Sequence, residues 1–188
     1  SNCLKVGQNS FFKTQVIIPQ KFAIVQTEIF QKDIIDIPDV ELIKKGSFMN
    51  LSYKTLSKIV LKNCKYIGQE AFCNTNIKYF EGANVELIDS FAFKNCVHLQ
   101  QCVVENVQQI GRQCFLESGI LSFTGLKLQI IPAMCFCSSL LAEANFPQVH
   151  SVDQYSFTHC VCLQFLNIPN LKNIGMNAFE GSFLQREF

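Results

Sequence analysis

Residues 67–72 read IGQEAF, and this short stretch returns along the whole chain at an almost constant spacing. Close copies are IDSFAF at 88–93, IGRQCF at 110–115 and IGMNAF at 174–179, while looser copies keep an aliphatic residue and the final Phe. Nine copies lie 18 to 24 residues apart, and they end at Phe11, Phe30, Phe48, Phe72, Phe93, Phe115, Phe136, Phe157 and Phe179. A period of this length, held across a chain, predicts a solenoid of small stacked units.

A second pattern lies between one Phe and the next, where two apolar residues flank a third residue and Pro often follows. Examples are IDIP at 35–38 and LNIP at 166–169. Such alternation predicts a short strand with its apolar residues facing inward, and Pro ends the strand because it has no N–H to donate. Gly or Asp after the aliphatic residue of the six-residue stretch suits a turn, and we expect a helical turn to carry the small residue and Phe.

Together the two patterns predict a single α/β repeat domain over residues 1–188. We expect about nine rungs of 21–22 residues, with a parallel sheet on one face and short helical turns and loops on the other. The nine phenylalanines should form one spine behind the sheet. Because Phe183, Leu184 and Phe188 keep the end of the chain apolar, we also expect the domain to be a segment of a longer protein.

Composition narrows the functional classes. Of the 188 residues, 48% are hydrophobic, with 18 Phe and no Trp, which is ample for a continuous core. The 16 basic and 15 acidic residues leave a formal charge of +1, so no clustered positive surface for nucleic acid is expected. No apolar run reaches the roughly twenty residues that a membrane-spanning helix needs.

The repeat follows L-x-x-h-x-h-P-x-h-x-x-I-G-x-x-A-F-x-x-C-x-x-L, with h apolar. Its eighth copy carries most of these positions, namely Phe157, Cys160, Leu163, Leu166, Ile168, Pro169, Leu171, Ile174, Gly175, Ala178 and Phe179. This pattern resembles the BspA-like leucine-rich repeat family of bacterial and protist surface proteins. The resemblance implies a curved leucine-rich repeat solenoid with the sheet on its concave face. It also implies a non-catalytic, adhesin-like module without cofactors, located at the cell surface or secreted.

The ten cysteines of the sequence favour a cellular location other than the cell surface. Several occupy repeat positions that other copies fill with Ala, Ser or Asn, so we interpret them as small buried residues. Cys114 and Cys135 fall within disulfide reach of each other by distance, but their side chains should point in parallel, which disfavours a bridge. Free thiols are typical of a reducing compartment, so an intracellular scaffold or regulatory protein is the alternative.

A metal or catalytic site is a remote alternative. The residues that could converge from two neighbouring rungs are Cys135, Cys137, His159, Cys160 and Cys162. Their spacings are not those that usually hold zinc, and we predict no metal site. A cysteine nucleophile would need a base beside it, and His98, His150 and His159 fall in predicted loops or turns. We therefore predict that the protein is not an enzyme.

The outward side chains of the predicted strands are the candidate partner-binding residues. They are Ile17, Asp36, Lys58, Val60, Tyr79, Glu81, Gln101, Val103, Ser122, Thr124, Glu143, Asn145, Phe165 and Asn167. Exposed aromatic and aliphatic residues among scattered charges are typical of a protein-binding surface. Strand propensity alone also favours Val, Ile and Tyr at such positions. The expected partner is another protein, such as a host or matrix protein.

Overall fold

The computed structural model describes residues 4–6, 33–51 and 57–183. Every regular element in those ranges is a short β-strand, and each strand pairs in parallel. The strands are β1 (Leu4–Val6), β2 (Ile34–Asp36), β3 (Val40–Ile43), β4 (Lys58–Val60), β5 (Tyr66–Ile67), β6 (Tyr79–Glu81), β7 (Leu87–Ile88), β8 (Gln101–Val103), β9 (Gln109–Ile110), β10 (Ser122–Thr124), β11 (Ile130–Ile131), β12 (Glu143–Asn145), β13 (Ser151–Val152), β14 (Phe165–Asn167) and β15 (Asn173–Ile174).

The even-numbered strands form one seven-stranded sheet, here called the front sheet, in the order in which they occur along the chain. Their first residues lie 24, 21, 22, 21, 21 and 22 residues apart, so each strand begins one coil of the solenoid. The middle residue of each strand faces inward, as period-two alternation requires, and Ile59, Phe80 and Phe123 are buried there. The predicted parallel sheet is therefore confirmed.

The odd-numbered strands form a second face, here called the side wall. It consists of a five-stranded sheet (β1, β3, β5, β7, β9) and a three-stranded sheet (β11, β13, β15). From β3 to β13 each strand buries an aliphatic side chain here, such as Ile67, Ile88 and Ile131, whereas Ile174 in β15 is exposed. The side wall is interrupted between β9 and β11.

The predicted spine is present from Phe48 to Phe179. Rings in adjacent coils stack with centroids 4.9–5.4 Å apart and interplanar angles of 1–14°. Phe80, Phe123 and Phe146 from the front-sheet side pack against these rings at 5.0–6.3 Å. Phe11 and Phe30, also predicted to belong to the spine, lie outside the described residues.

The predicted helical turns are wrong for residues 33–51 and 57–183, none of which forms a helix. Residues two before and two after each spine Phe have a left-handed backbone; around Phe115 these are Gln113 at φ 54° and Glu117 at φ 55°. A helix needs right-handed φ at every residue. The Phe115 N–H instead donates to the Cys135 carbonyl of the next coil at 2.8 Å, while the Leu116 N–H donates three residues back at 3.3 Å. Alternate amides therefore join neighbouring coils, which no helix could do.

The count of nine rungs is not confirmed, and the described residues form about six coils. Consecutive rungs would put the second repeat beside β3, but β1 from the first repeat pairs there, with Val6 opposite Ile43. The steps of 19 and 18 residues between the first three predicted phenylalanines are shorter than the 21–24 residues of the described coils.

Replacing Phe115 with Ala should lower the free energy of unfolding by roughly 3–5 kcal/mol. The ring touches Phe93, Phe123 and Phe136, and its loss leaves a cavity in the middle of a stack whose stability comes from contacts between neighbours. Urea unfolding followed by far-ultraviolet circular dichroism measures the loss. As a control, the exposed Phe165→Ala should change stability by less than about 1 kcal/mol. Equal losses for the two variants would contradict a stabilising spine.

Candidate binding surface

The residues predicted to bind a partner lie in two ladders on the outward side of the front sheet. The first residue of each front-sheet strand lies opposite the first residue of the next strand. This first-residue ladder consists of Ile34, Lys58, Tyr79, Gln101, Ser122, Glu143 and Phe165. The third residues of the strands also lie opposite one another. This third-residue ladder has two runs, Asp36, Val60, Glu81 and Val103 in one and Thr124, Asn145 and Asn167 in the other. Ile17, the remaining predicted residue, lies outside the described residues.

The two ladders differ in exposure. Phe165 is 57% exposed and Tyr79 is 38% exposed, so the first-residue ladder offers aromatic surface to a partner. Val60 and Val103, which we expected to be exposed, are half-buried. Glu81 lies between them in the register, with its carboxylate paired to Lys58. The apolar character of the front sheet therefore comes mainly from its first-residue ladder.

Contacts between coils organise the polar side chains. Lys58 forms an ion pair with Glu81, and Lys62 contacts Asp36 at 3.2 Å, so charges on the first coils are largely neutralised. On the last coils the Asn167 amide Nδ2 donates to Asn145 Oδ1 at 2.8 Å. Such surface pairs contribute little to stability, but they hold side chains in defined positions.

Sequence reasoning missed an apolar strip next to the front sheet, here called the loop edge. It consists of Val97, Leu121, Leu140 and Val161, each 46–57% exposed. Three of these residues lie four positions after a spine Phe, where other coils have Asn76 or Gly119. The fourth, Leu121, immediately precedes β10. An aliphatic residue recurring in the loop after Phe was the signal that could have identified the strip.

The cysteines behave as core residues. All nine within the described residues are free, and seven of them are buried. Burial raises the pKa of the Cys96 thiol to about 12 and that of Cys160 to about 11, despite hydrogen bonds from neighbouring groups that lower both. Each of these two thiols donates to the carbonyl of a spine Phe in the preceding coil, at 3.0 Å and 2.9 Å respectively. A thiol held in its protonated form inside the core is a poor nucleophile.

The cysteines and the histidine considered as zinc ligands are not brought together in the described residues. Within the described residues, no group of three or more Cys, His, Asp or Glu side chains is placed to hold a metal ion. His159 is exposed, Cys137 and Cys162 are partly exposed, and Cys160 is buried with its thiol directed to a backbone carbonyl. Residues 4–6, 33–51 and 57–183 also contain no helix long and apolar enough to cross a bilayer.

Solved structures share this architecture. A leucine rich cell surface protein from Faecalibacterium prausnitzii aligns with a TM-score of 0.63 and 20% identity over 83% of this chain and 48% of its own. The Treponema pallidum leucine rich repeat protein, TpLRR, aligns with a TM-score of 0.57 and 19% identity over 80% of this chain and 77% of its own. This chain thus spans about half the length of the first of these proteins, and at such identity the likeness concerns the fold.

Sequence comparison gives the family directly. No curated protein matches the chain. The BspA type leucine rich repeat region matches in six copies, over residues 1–83, 31–130 and 65–186. Those ranges cover nearly the whole chain, and the structure folds as the coils that such repeats require. The chain therefore belongs to the BspA-type leucine-rich repeat family.

Proposed function

We propose that this solenoid is a non-catalytic module that binds another protein through the front sheet and the adjacent loop edge. The observation that carries the proposal is the exposure of aromatic and aliphatic side chains on both surfaces, at Tyr79, Phe165 and the loop edge. The core is complete without these side chains, because the spine and the inward strand residues already fill it. Stacked repeats present extended surfaces of this kind, and exposed apolar strips with polar neighbours are typical of protein interfaces.

The properties of the front sheet favour a protein over other ligands. Its charges are mixed and mostly paired on the first coils, so it offers no concentrated field for a polyanion. Amide side chains such as Gln101 and Asn145 provide both donors and acceptors beside the aromatic rings. Aromatic anchors surrounded by adaptable polar groups are the usual composition of a protein-binding patch.

An adhesin-like role at the cell surface is the form of this function that we favour. Family membership supports it, as does the description of the F. prausnitzii relative as a cell surface protein. The free cysteines favoured an intracellular scaffold from the sequence. Seven of the nine described cysteines are buried, which weakens that argument, since a protonated thiol inside a packed core is protected from oxidation in any compartment.

Tyr79→Ala combined with Phe165→Ala should weaken partner binding at least about 30-fold, as expected for the loss of aromatic anchors worth roughly 2 kcal/mol. Binding of the immobilised chain to purified extracellular-matrix proteins and to host-cell surface extracts, followed by biolayer interferometry with each captured protein, measures the change. Arg112→Ala provides a matched control, because Arg112 is exposed in the turn that precedes Phe115 and belongs to neither proposed surface. Equal weakening by the control, or a parallel loss of thermal stability in the double variant, would argue against this surface.

Thiol reactivity tests the interpretation of the cysteines. At pH 8 we expect Cys137 and Cys162 to react quickly with Ellman's reagent, because both are partly exposed. Cys96 should react roughly 10³-fold more slowly than an ordinary thiol, because a pKa of about 12 lowers the thiolate fraction by that factor. Unfolding in urea without reductant should then release all ten thiols of the sequence. Fewer than ten would show that the protein forms disulfides and matures in an oxidising compartment.

A further inference from the structure

One contact between coils differs from all others in the described part of the chain. It joins the coil of β8 and β9 to the coil of β10 and β11, and we refer to it as the Pro132 junction. At the other side-wall junctions from β3 to β15, two or three backbone N–H groups donate to carbonyls of the preceding coil. At the junction of β7 and β9, for example, Gln108 and Gln109 donate to Glu86 and Gly111 donates to Ile88, at 2.8–3.2 Å.

At the Pro132 junction these side-wall bonds are missing. Within the described residues, Gln129 and Ile130 have no N–H bond to Gln108, and nothing donates to the Ile110 carbonyl from the next coil. No register joins β9 to β11, so the side wall is divided here into its five-stranded and three-stranded parts. The loss is local, because β11 pairs with β13 in the ordinary way.

Pro132 explains the interruption. Other coils have Gly68, Asp89, Gly111, Asp153 or Gly175 at this position, and each donates its N–H to the preceding coil at 2.7–2.9 Å. Proline has no N–H, so the bond to Ile110 cannot form. The ring carbon Cδ of proline also takes the place of the amide hydrogen, so this coil cannot approach the Ile110 carbonyl as the coils with Gly or Asp approach their neighbours.

The front sheet is weakened at the same junction. β8 and β10 pair at one position, Ser122 opposite Gln101. Every other neighbouring pair in the front sheet pairs at three positions. The amide that follows each of several other strands donates to the next coil, as Leu61 does to Glu81, Gly82 to Val103 and Gly125 to Asn145 at 2.8–3.0 Å. Among the described residues, Val104 makes no such bond to Thr124.

The Phe side of this junction is intact. Gln113, Phe115 and Glu117 donate their N–H groups to the next coil at 2.8–3.1 Å. The Phe115 and Phe136 rings stack at 5.3 Å with an interplanar angle of 2°. The loop that follows also stays bonded, since Gly119 donates to Cys96 at 3.0 Å and Leu121 donates to Gln100 at 3.3 Å. The two coils are thus held along the Phe turn and this loop, while the side wall and the end of the front sheet are loosened.

A cleft of about 590 Å³ opens on the side wall at this point. Gln109, Ile110, Gln129, Ile130 and Pro132 line it, so it lies directly over the missing hydrogen bonds. Water in the cleft can satisfy the exposed backbone groups, which removes the cost of leaving them without protein partners.

We propose that the solenoid pivots at the Pro132 junction, with the Phe turns and the loops that follow them as the axis. The coils before and after the junction move as two stacks, and the side-wall cleft opens and closes as they do. Each stack keeps its own hydrogen-bonded ladders, whereas the junction lacks the side-wall ladder and keeps only part of the front-sheet ladder, so it resists bending less. Motion about this axis changes the angle between the two halves of the front sheet, where the third-residue ladder is already interrupted between Val103 and Thr124. The pivot belongs to the solenoid and stands whether or not the front sheet binds a partner.

Double electron–electron resonance, which measures the distribution of distances between two spin labels, tests the proposal in the full chain without a partner. Lys65 and Lys172 are exposed at equivalent side-wall positions on either side of the junction. Labels attached there through genetically encoded keto side chains avoid the native cysteines. We expect a broad or two-peaked distance distribution for the wild type. Pro132→Gly should narrow it and shift its mean toward about 24 Å, the length of five continuous strand spacings. A single narrow peak in the wild type would refute the pivot.

Two further measurements assign the motion to the missing ladder. In Pro132→Gly, amide hydrogen exchange at Gln129 and Ile130 should slow at least about tenfold, because these amides gain partners. Pro147→Gly is the matched control, since Pro147 lies between the labels and follows β12, where Phe146 bonds normally to Asn167 at 2.8 Å. Pro147→Gly should leave the distribution of distances between the spin labels broad. Narrowing by the control, or an unchanged distribution in Pro132→Gly, would overturn the role of Pro132.

Discussion

No coil of this protein can form all of its backbone hydrogen bonds by itself, and the rest of the structure depends on that constraint. The strands contain two to four residues, too few to be stable alone, and on the Phe side alternate amides point to the neighbouring coil. The stacked rings of the spine bring the coils to the separation at which these hydrogen bonds form. Apolar packing and backbone pairing therefore reinforce each other at every junction, and neither would specify the stack alone.

The same arrangement separates the residues that stabilise the protein from those available for recognition. Inward strand residues, spine rings and small buried thiols fill the interior. The outward ladders and the loop edge add little to that core, so they can vary in chemistry without disturbing the fold. The aromatic exposure at Tyr79 and Phe165 is consistent with this freedom. The exception is position 132, where one residue changes the contact between coils because it lies in the hydrogen-bonding ladder itself.

Much of the fold was predictable because its signals are local and repeated. The spacing of Phe residues predicted the spine, and the alternation in segments such as 79–81 predicted the front sheet with its register. Predictions based on local propensity succeeded less well. We expected a helical turn to carry Cys114 and Phe115, but the backbone that bonds to the next coil is left-handed at Gln113 and Glu117. Val60 and Val103 are likewise half-buried, although strand alternation predicted that both would be exposed.

The sequence by itself determined the coil length, the inward residues and the single column of rings, because each follows from a periodicity within one chain segment. Only the tertiary structure decided how the coils are joined. The left-handed turns, the exposed loop edge and the interruption at Pro132 depend on groups about one coil apart in the sequence that meet across a junction. A proline after Ile131 looks like ordinary turn chemistry in the sequence. It becomes a break in the side wall because the N–H that it lacks is one that the preceding coil needs.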